Sequence, residues 1–174
     1  MRAVGLHADV IVAVSRAYRT TCTLVRSGNE AFCIDSPVFP DELEILPAIA
    51  EQAGFGVVGL LATHADWDHL LGRYAFPEAP LGCAETTSAR LAGHPGEAQR
   101  GLRDFDDELY VERPAPLSLP SAQSLPVPAT AGSASWSWSC TPRTDTRPTG
   151  WRCGCPGPAC CVAATICRPW RSRW

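Results

Sequence analysis

Lysine is absent from all 174 residues, so the fifteen basic side chains are arginine alone. With alanine, glycine and proline abundant, that bias points to a gene rich in G and C. Long apolar runs are also missing. None reaches the roughly 18 residues that a membrane-spanning helix needs, which excludes such a span. A cleavable leader is not expected either, because Asp9 interrupts the apolar stretch at the N-terminus and no small-residue cleavage pattern follows. Neither sign of charge is extreme. A formal net charge of −3, with 45% hydrophobic and 19% charged residues, excludes a collagen, a coiled coil and a wholly disordered acidic chain. The expectation is a soluble, cytoplasmic protein with one ordinary domain and at most a small second module.

What is present is divided unevenly. Residues 1–128 hold nine Arg against seventeen Asp and Glu, a net −8, whereas residues 129–174 hold six Arg and one acid, Asp145, a net +5. The last stretch also carries six of the nine Cys and five of the six Trp, and it has no histidine at all. Two compositions are joined near residue 128. The expected organisation is a folded unit over 1–128 and a disordered Cys/Trp/Arg-rich tail over 129–174.

The first unit reads as alternating strands and helices. Val10 to Ser15, Thr20 to Val25 and Ala31 to Ile34 are β-branched or apolar runs, and a turn at Ser27-Gly28-Asn29 makes two of them a hairpin. From Asp41 to Ala53 the apolar residues Leu43, Ile45, Leu46, Ile49 and Ala50 recur at helical spacing, with Pro47 a candidate kink. Val57 to Ala62 is a continuous apolar run, as in a strand covered on both faces. Leu81 to Ala84 reads as another strand and Thr86 to Leu102 as a helix opening on threonine caps. After Tyr110, repeated prolines exclude helix and leave loops or short edge strands. This order predicts an α/β or α+β layered domain.

Directly after the apolar run stands Thr63-His64-Ala65-Asp66-Trp67-Asp68-His69, with four potential metal ligands within six residues. Imidazole and carboxylate together suit zinc, iron or manganese. His64 and Asp66, two apart in an extended turn, can point the same way; Asp68 and His69, at the start of the next helix, can face a second ion. Metals held as an adjacent pair activate water for hydrolysis. The plainer alternative is a polar loop in which Asp66 or Asp68 caps a helix. One His or one Asp would favour that alternative, but the full H-x-D-x-D-H pattern at the end of a strand favours metal. His7 and His94 stand apart and read as surface residues. Cys22, Cys33 and Cys83 fall in or beside predicted strands and read as small buried hydrophobes.

This segment, with the hairpin and helix before it, resembles the T-H-x-H-x-D-H loop of the metallo-β-lactamase superfamily over about residues 8 to 128. The resemblance implies an αββα sandwich, here incomplete. It also implies hydrolysis of an ester, amide, thioester or phosphodiester by water activated on one or two metal ions, with zinc the expected cofactor and iron or manganese the other candidates. By the same resemblance His64 belongs to a first metal site and Asp68 and His69 to a second, and Asp68 orients or deprotonates the attacking water. Asp66 departs from the family, which has a second histidine there. An anionic oxygen in place of a neutral nitrogen favours a harder metal or a weaker first site.

Further ligands are expected downstream in this family: a histidine in a Gly-His-Thr segment and, about 19 residues on, a bridging aspartate after glycine. Residues 129–174 supply no such histidine. Read one base earlier, however, the codons for residues 144–150 can spell Gly-His-Thr-Ala-Asp-Gly, and those for 162–167 can spell Gly-Gly-Asp-Tyr-Leu. The implied His and Asp then lie 19 codons apart. The tail is therefore read as out of frame from about residues 126–129. Other readings of it are less well supported. Cys153-x-Cys155 and Cys160-Cys161 lack the C-x₂-C pairs of a zinc module, and nine cysteines without a leader argue against a disulfide framework. No amphipathic period supports nucleic-acid or membrane binding. The sequence thus predicts a metal-dependent hydrolase of small molecules, impaired by its missing ligands, with a non-catalytic pseudoenzyme or binding domain as the alternative.

Overall fold

Four antiparallel strands begin the main sheet: β1 (Arg2–His7), β2 (Val10–Val14), β3 (Thr21–Ser27) and β4 (Glu30–Ile34). The computed structural model describes residues 1–119 and 122–125, and the backbone of 129–131, 138–142 and 151–154. β3 and β4 are joined through Gly28 and Asn29; Gly28, at φ 62°, takes the positive angle that a two-residue hairpin turn requires. β1 was not visible in the sequence pattern. It is the outermost strand and most of its residues are exposed, so no buried alternation marks it.

From β4 the pairing becomes parallel, through β5 (Gly56–Ala62), β6 (Leu81–Ala84) and β7 (Gln123–Leu125), so that the seven strands lie in chain order. Parallel neighbours need crossovers. They are α1 (Pro40–Gln52), then a 3₁₀ turn at Trp67–His69 with α2 (Gly72–Ala75), then α3 (Glu85–Gly93) and α4 (Glu97–Leu109). This mixed seven-stranded sheet with four helices among the described residues is the α/β architecture expected. No described helix is long and apolar enough to cross a membrane.

Three sequence expectations need correction. The helix expected from Thr86 to Leu102 is two helices, because Pro95 cannot donate to the ladder and Gly96 adopts φ 79°. β5 is covered on both faces only towards its end, since Val58 is 43% exposed. Asp68 and His69 do not open an α-helix but lie in the 3₁₀ turn. Pro47, by contrast, leaves α1 uninterrupted.

One core cluster joins Cys22, Leu24 and Cys33 of the hairpin to Leu46 and Ala50 of α1, Leu60 of β5 and Leu81 and Cys83 of β6. The three cysteines are buried, as expected. A second cluster joins Val38, Leu43, Leu71, Leu102 and Phe105, and Trp67 packs against both. Within this apolar surround Glu42 is buried. Its carboxylate accepts bonds from Ser15 Oγ (2.6 Å), Arg16 N–H (3.0 Å) and Phe39 N–H (3.3 Å), and the Met1 amino group lies 3.1 Å away. The bond from Phe39 satisfies one of the free donors at the start of α1, as the glutamate of a capping box does.

Within the tail, β8 (Ala129–Ala131), β9 (Trp138–Pro142) and β10 (Trp151–Gly154) form an antiparallel sheet in the order β10-β9-β8. Regular backbone thus occurs at these positions of a segment expected to be disordered. The codons that spell the Gly-His-Thr and Gly-Asp segments in the shifted frame, for residues 144–150 and 162–167, lie outside the described residues.

Candidate metal centre

The parallel half of the sheet brings its strand ends together, where α/β sheets commonly place their ligands. Asp35 follows β4, the Thr63–His69 loop follows β5, and α3 follows β6. Asp35 is held in place by its own backbone, whose N–H donates to Leu61 O at 2.8 Å, and by φ 58°, a left-handed conformation that aspartate tolerates better than most residues.

From there Asp35 pins the start of the loop. Its Oδ1 accepts the Thr63 N–H at 2.8 Å, and its Oδ2 accepts the Thr63 hydroxyl at 2.8 Å. The neighbouring Ser36 pins the end, where its Oγ donates to Asp68 O at 3.2 Å and accepts the Leu71 N–H at 3.0 Å. Trp67 anchors the middle, its ring tilted 42° against that of Phe105 with centroids 4.7 Å apart. A polar loop is thereby fixed on a rigid sheet by bonds at both ends and an apolar side chain between them.

The two imidazoles are oriented by the same network. The Thr63 proton is committed to Asp35, so Thr63 Oγ1 accepts from His64 Nδ1 at 3.0 Å. His69 Nδ1 lies 3.0 Å from Asp35 Oδ2. Both rings therefore spend Nδ1 on the scaffold and present Nε2 outward, and the two meet at a tilt of 46° with centroids 3.8 Å apart. His64 Nε2 faces Asp66 Oδ2 at 3.3 Å, and His69 Nε2 faces Asp68 Oδ2 at 3.4 Å. The structure thus sets the four candidate ligands as two His–carboxylate pairs.

Charge is concentrated accordingly. Burial pulls the His69 pKa down, but Asp35 outweighs it, with Asp68 and Asp66 adding to the effect, and the result is about 9. The bond with His64, opposed by burial and reinforced by Arg90, holds Asp66 at about 2. His7 is half-exposed and pairs with Asp9, and His94 is exposed, as expected of surface residues.

The donor set can be tested against a metal. Bonds of about 2.0–2.2 Å at a tetrahedral angle place neighbouring ligand atoms roughly 3.4 Å apart. Both Nε2–Oδ2 separations match that edge. Asp35 on Nδ1 of His69 is the carboxylate–histidine arrangement that orients metal-binding imidazoles. Each pair alone offers two donors at that spacing. Among the described residues, however, no three His, Cys, Asp or Glu side chains form one group that could hold an ion.

Sequence reasoning missed Asp35, Ser36 and Arg90. The acid at the end of β4, beside the strand that carries the loop, was a usable signal for the first. Arg90, on a helix beyond the next strand, had none.

No family model matches the sequence, and no curated protein does. Solved structures do resemble this chain. A subclass B3 metallo-β-lactamase from a soil metagenome library superposes with a TM-score of 0.61 at 15% identity, covering 91% of this chain and 59% of that one. The metallo-β-lactamase of Pontibacter korlensis gives 0.59 at 13% identity over 89% and 66%. That of Cronobacter sakazakii with a HARLDQ motif gives 0.60 at 12% identity over 89% and 60%. The present chain spans less than two thirds of the length of each. These likenesses establish the metallo-β-lactamase fold.

Proposed function

We propose that this protein is a metal-dependent hydrolase of the metallo-β-lactamase superfamily, cleaving an ester, thioester, amide or phosphodiester bond in a small molecule. The observation that supports this best is the pairing of two outward Nε2 atoms with two carboxylates at ligand-edge separations. His64, Asp66, Asp68 and His69 would hold the metal. Zinc suits these donors, and iron and manganese accept them too. A bound metal supplies acidified water and polarises the electrophile.

The remaining chemistry belongs to the protein. Asp35 fixes the tautomer and plane of His69. A ligating imidazole must be neutral at the ligating nitrogen, so His69, whose pKa Asp35, Asp68 and Asp66 raise to about 9 against the effect of burial, would have to give up its Nε2 proton to hold an ion. Asp68 keeps its side chain one-fifth exposed, where a carboxylate oxygen can orient or deprotonate the attacking water.

Each pair offers two ligands, whereas a catalytic zinc takes three from the protein. We attribute the shortfall to the shifted frame of the tail, which removes the imidazole and the bridging carboxylate. This chain then binds metal weakly and turns over little. Metal analysis of the purified chain beside a version with the frame restored near codons 126–129 tests this. Stoichiometric metal in the restored protein and a clear deficit in this one is expected; equal stoichiometric metal in both, or none in either, sinks the proposal.

A second reading, a non-catalytic pseudoenzyme or binding domain, is favoured by the lack of any three-ligand group among the described residues. It predicts no metal and no hydrolysis even after the frame is restored.

A further inference from the structure

Cys22 and Cys33 sit on neighbouring strands and face the same core cluster. In the ladder between β3 and β4, Cys33 stands opposite Leu24, and Cys22, two residues before Leu24, shares its face as a diagonal neighbour. Their sulfurs lie 3.4 Å apart. Neither residue is exposed.

The hydrogen bonds of this pair run in one direction. Cys33 Sγ donates to Asp35 O at 3.3 Å, which leaves it the acceptor of its bond with Cys22. No other donor reaches Asp35 O among the described contacts. Asp35 is the residue whose carboxylate holds Thr63 and His69, and its own backbone stands at φ 58°. The two thiols therefore end on the residue that anchors the ligand loop.

We propose that Cys22 and Cys33 are a modification site, joined as a reversible disulfide by hydrogen peroxide, and that the bond loosens the Asp35 anchor of the loop. One sulfur attacks a peroxide oxygen, the O–O bond breaks, and a sulfenic acid and water result; the other sulfur then attacks the sulfenic sulfur and expels a second water. The two sulfurs lose two electrons and the peroxide gains them. The contact with Cys33, then burial, keep Cys22 protonated, so Cys33 attacks first and Cys22 resolves it. Neither sulfur keeps a proton afterwards, and Asp35 O loses its donor. Diagonal neighbours stand ~7–8 Å apart at Cα, whereas a disulfide spans no more than about 7 Å without backbone movement. Closing the bond thus pulls on the end of β4, two residues before Asp35, and a bond strained in this way is readily reduced. Because both thiols are buried, peroxide meets them only as the hairpin opens locally, and the reaction is slow. No step involves a metal, so the inference stands or falls separately from the hydrolase reading.

The test treats the full chain with hydrogen peroxide and maps it with trypsin after alkylation. Cleavage after Arg19, Arg26 and Arg73 puts Cys22, Cys33 and Cys83 on three different peptides. A disulfide between peptides 20–26 and 27–73 is expected to form, to shift the His69 ring resonances while it lasts, and to revert with dithiothreitol; Cys83 is expected to join neither. Cys22→Ser and Cys22→Ala, treated alike, are expected to leave those resonances in place. Absence of the linkage at a dose that oxidises the unfolded chain overturns the inference. So does a linkage that leaves His69 unmoved, or a shift of the same size in both Cys22 variants.

Discussion

His69 Nδ1 lies 3.0 Å from Asp35 Oδ2, across the gap between the strand that ends before the acid and the loop that carries the imidazole. The same carboxylate accepts the Thr63 N–H and hydroxyl, so one buried group fixes both the start of the loop and the plane of its last ligand.

Replacing Asp35 with Ala leaves three donors of the loop without a partner, two of them in a part-buried site. Removing one member of a buried charged pair costs on the order of 3–5 kcal/mol. Asp35→Asn keeps an acceptor for Thr63 and tolerates the left-handed backbone, so its loss is expected to be clearly smaller. Urea unfolding of the two variants decides; equal stability would show that Asp35 does not anchor the loop.

Glu42 sets an acid limit to the fold. Burial raises its pKa, but bonds from Ser15, Arg16, Met1 and Phe39 outweigh that and hold it at about 2 in the folded chain, against 4.5 for the ordinary side chain. A carboxyl depressed on folding stabilises above its unfolded pKa, and that contribution disappears as pH falls from about 4.5 towards 2. The gap amounts to on the order of 3 kcal/mol. The stability difference between wild type and Glu42→Gln is expected to be largest near neutral pH and to shrink across that window; a difference independent of pH contradicts it.

Gly101 lets α4 lie directly on the ligand loop. A Cβ there would sit 2.7 Å from Trp67 Cδ1, and the indole is held from the other side by its packing on both core clusters. Alanine gains about 0.5–1 kcal/mol over glycine inside a helix, while overpacking a filled site costs roughly 1–3 kcal/mol. Gly101→Ala is therefore expected to destabilise on balance, as read by the urea midpoint. A stabilised variant would mean that Trp67 moves freely.

Cys22, Cys33 and Cys83 are expected to resist iodoacetamide at pH 8 in the native chain and to react once it is unfolded. The contact with Cys33, then burial, push the Cys22 thiol well up, and burial alone raises Cys83 to about 11. Peptide mapping by mass spectrometry reads the three sites separately; rapid labelling of any of them under native conditions contradicts their burial.

Much of this was legible because the determinants are local. Strands β2 to β6 and α1 follow from runs and spacings within a dozen residues, and the loop declares itself through the density of donors between His64 and His69. What escaped depends on distance in the chain. β1 is an exposed edge that only its partner β2 defines, whereas the break at His94-Pro95-Gly96 is a local turn signal that the sequence itself carries. Asp35 and Arg90 acquire their roles only when parallel pairing sets β4, β5 and β6 side by side, which no window of sequence contains.

The ladder between β4 and β5 ends with Ile34 opposite Leu61, one residue before the acid and two before the threonine that it binds. Side chains alternate between the faces of a sheet, so a slip of β5 by a single position would turn Thr63 to the wrong side and carry both imidazoles away from their anchors. The alignment of two neighbouring backbones therefore governs whether this protein can gather its ligands, and a substitution that never touches the loop could silence it by shifting that alignment.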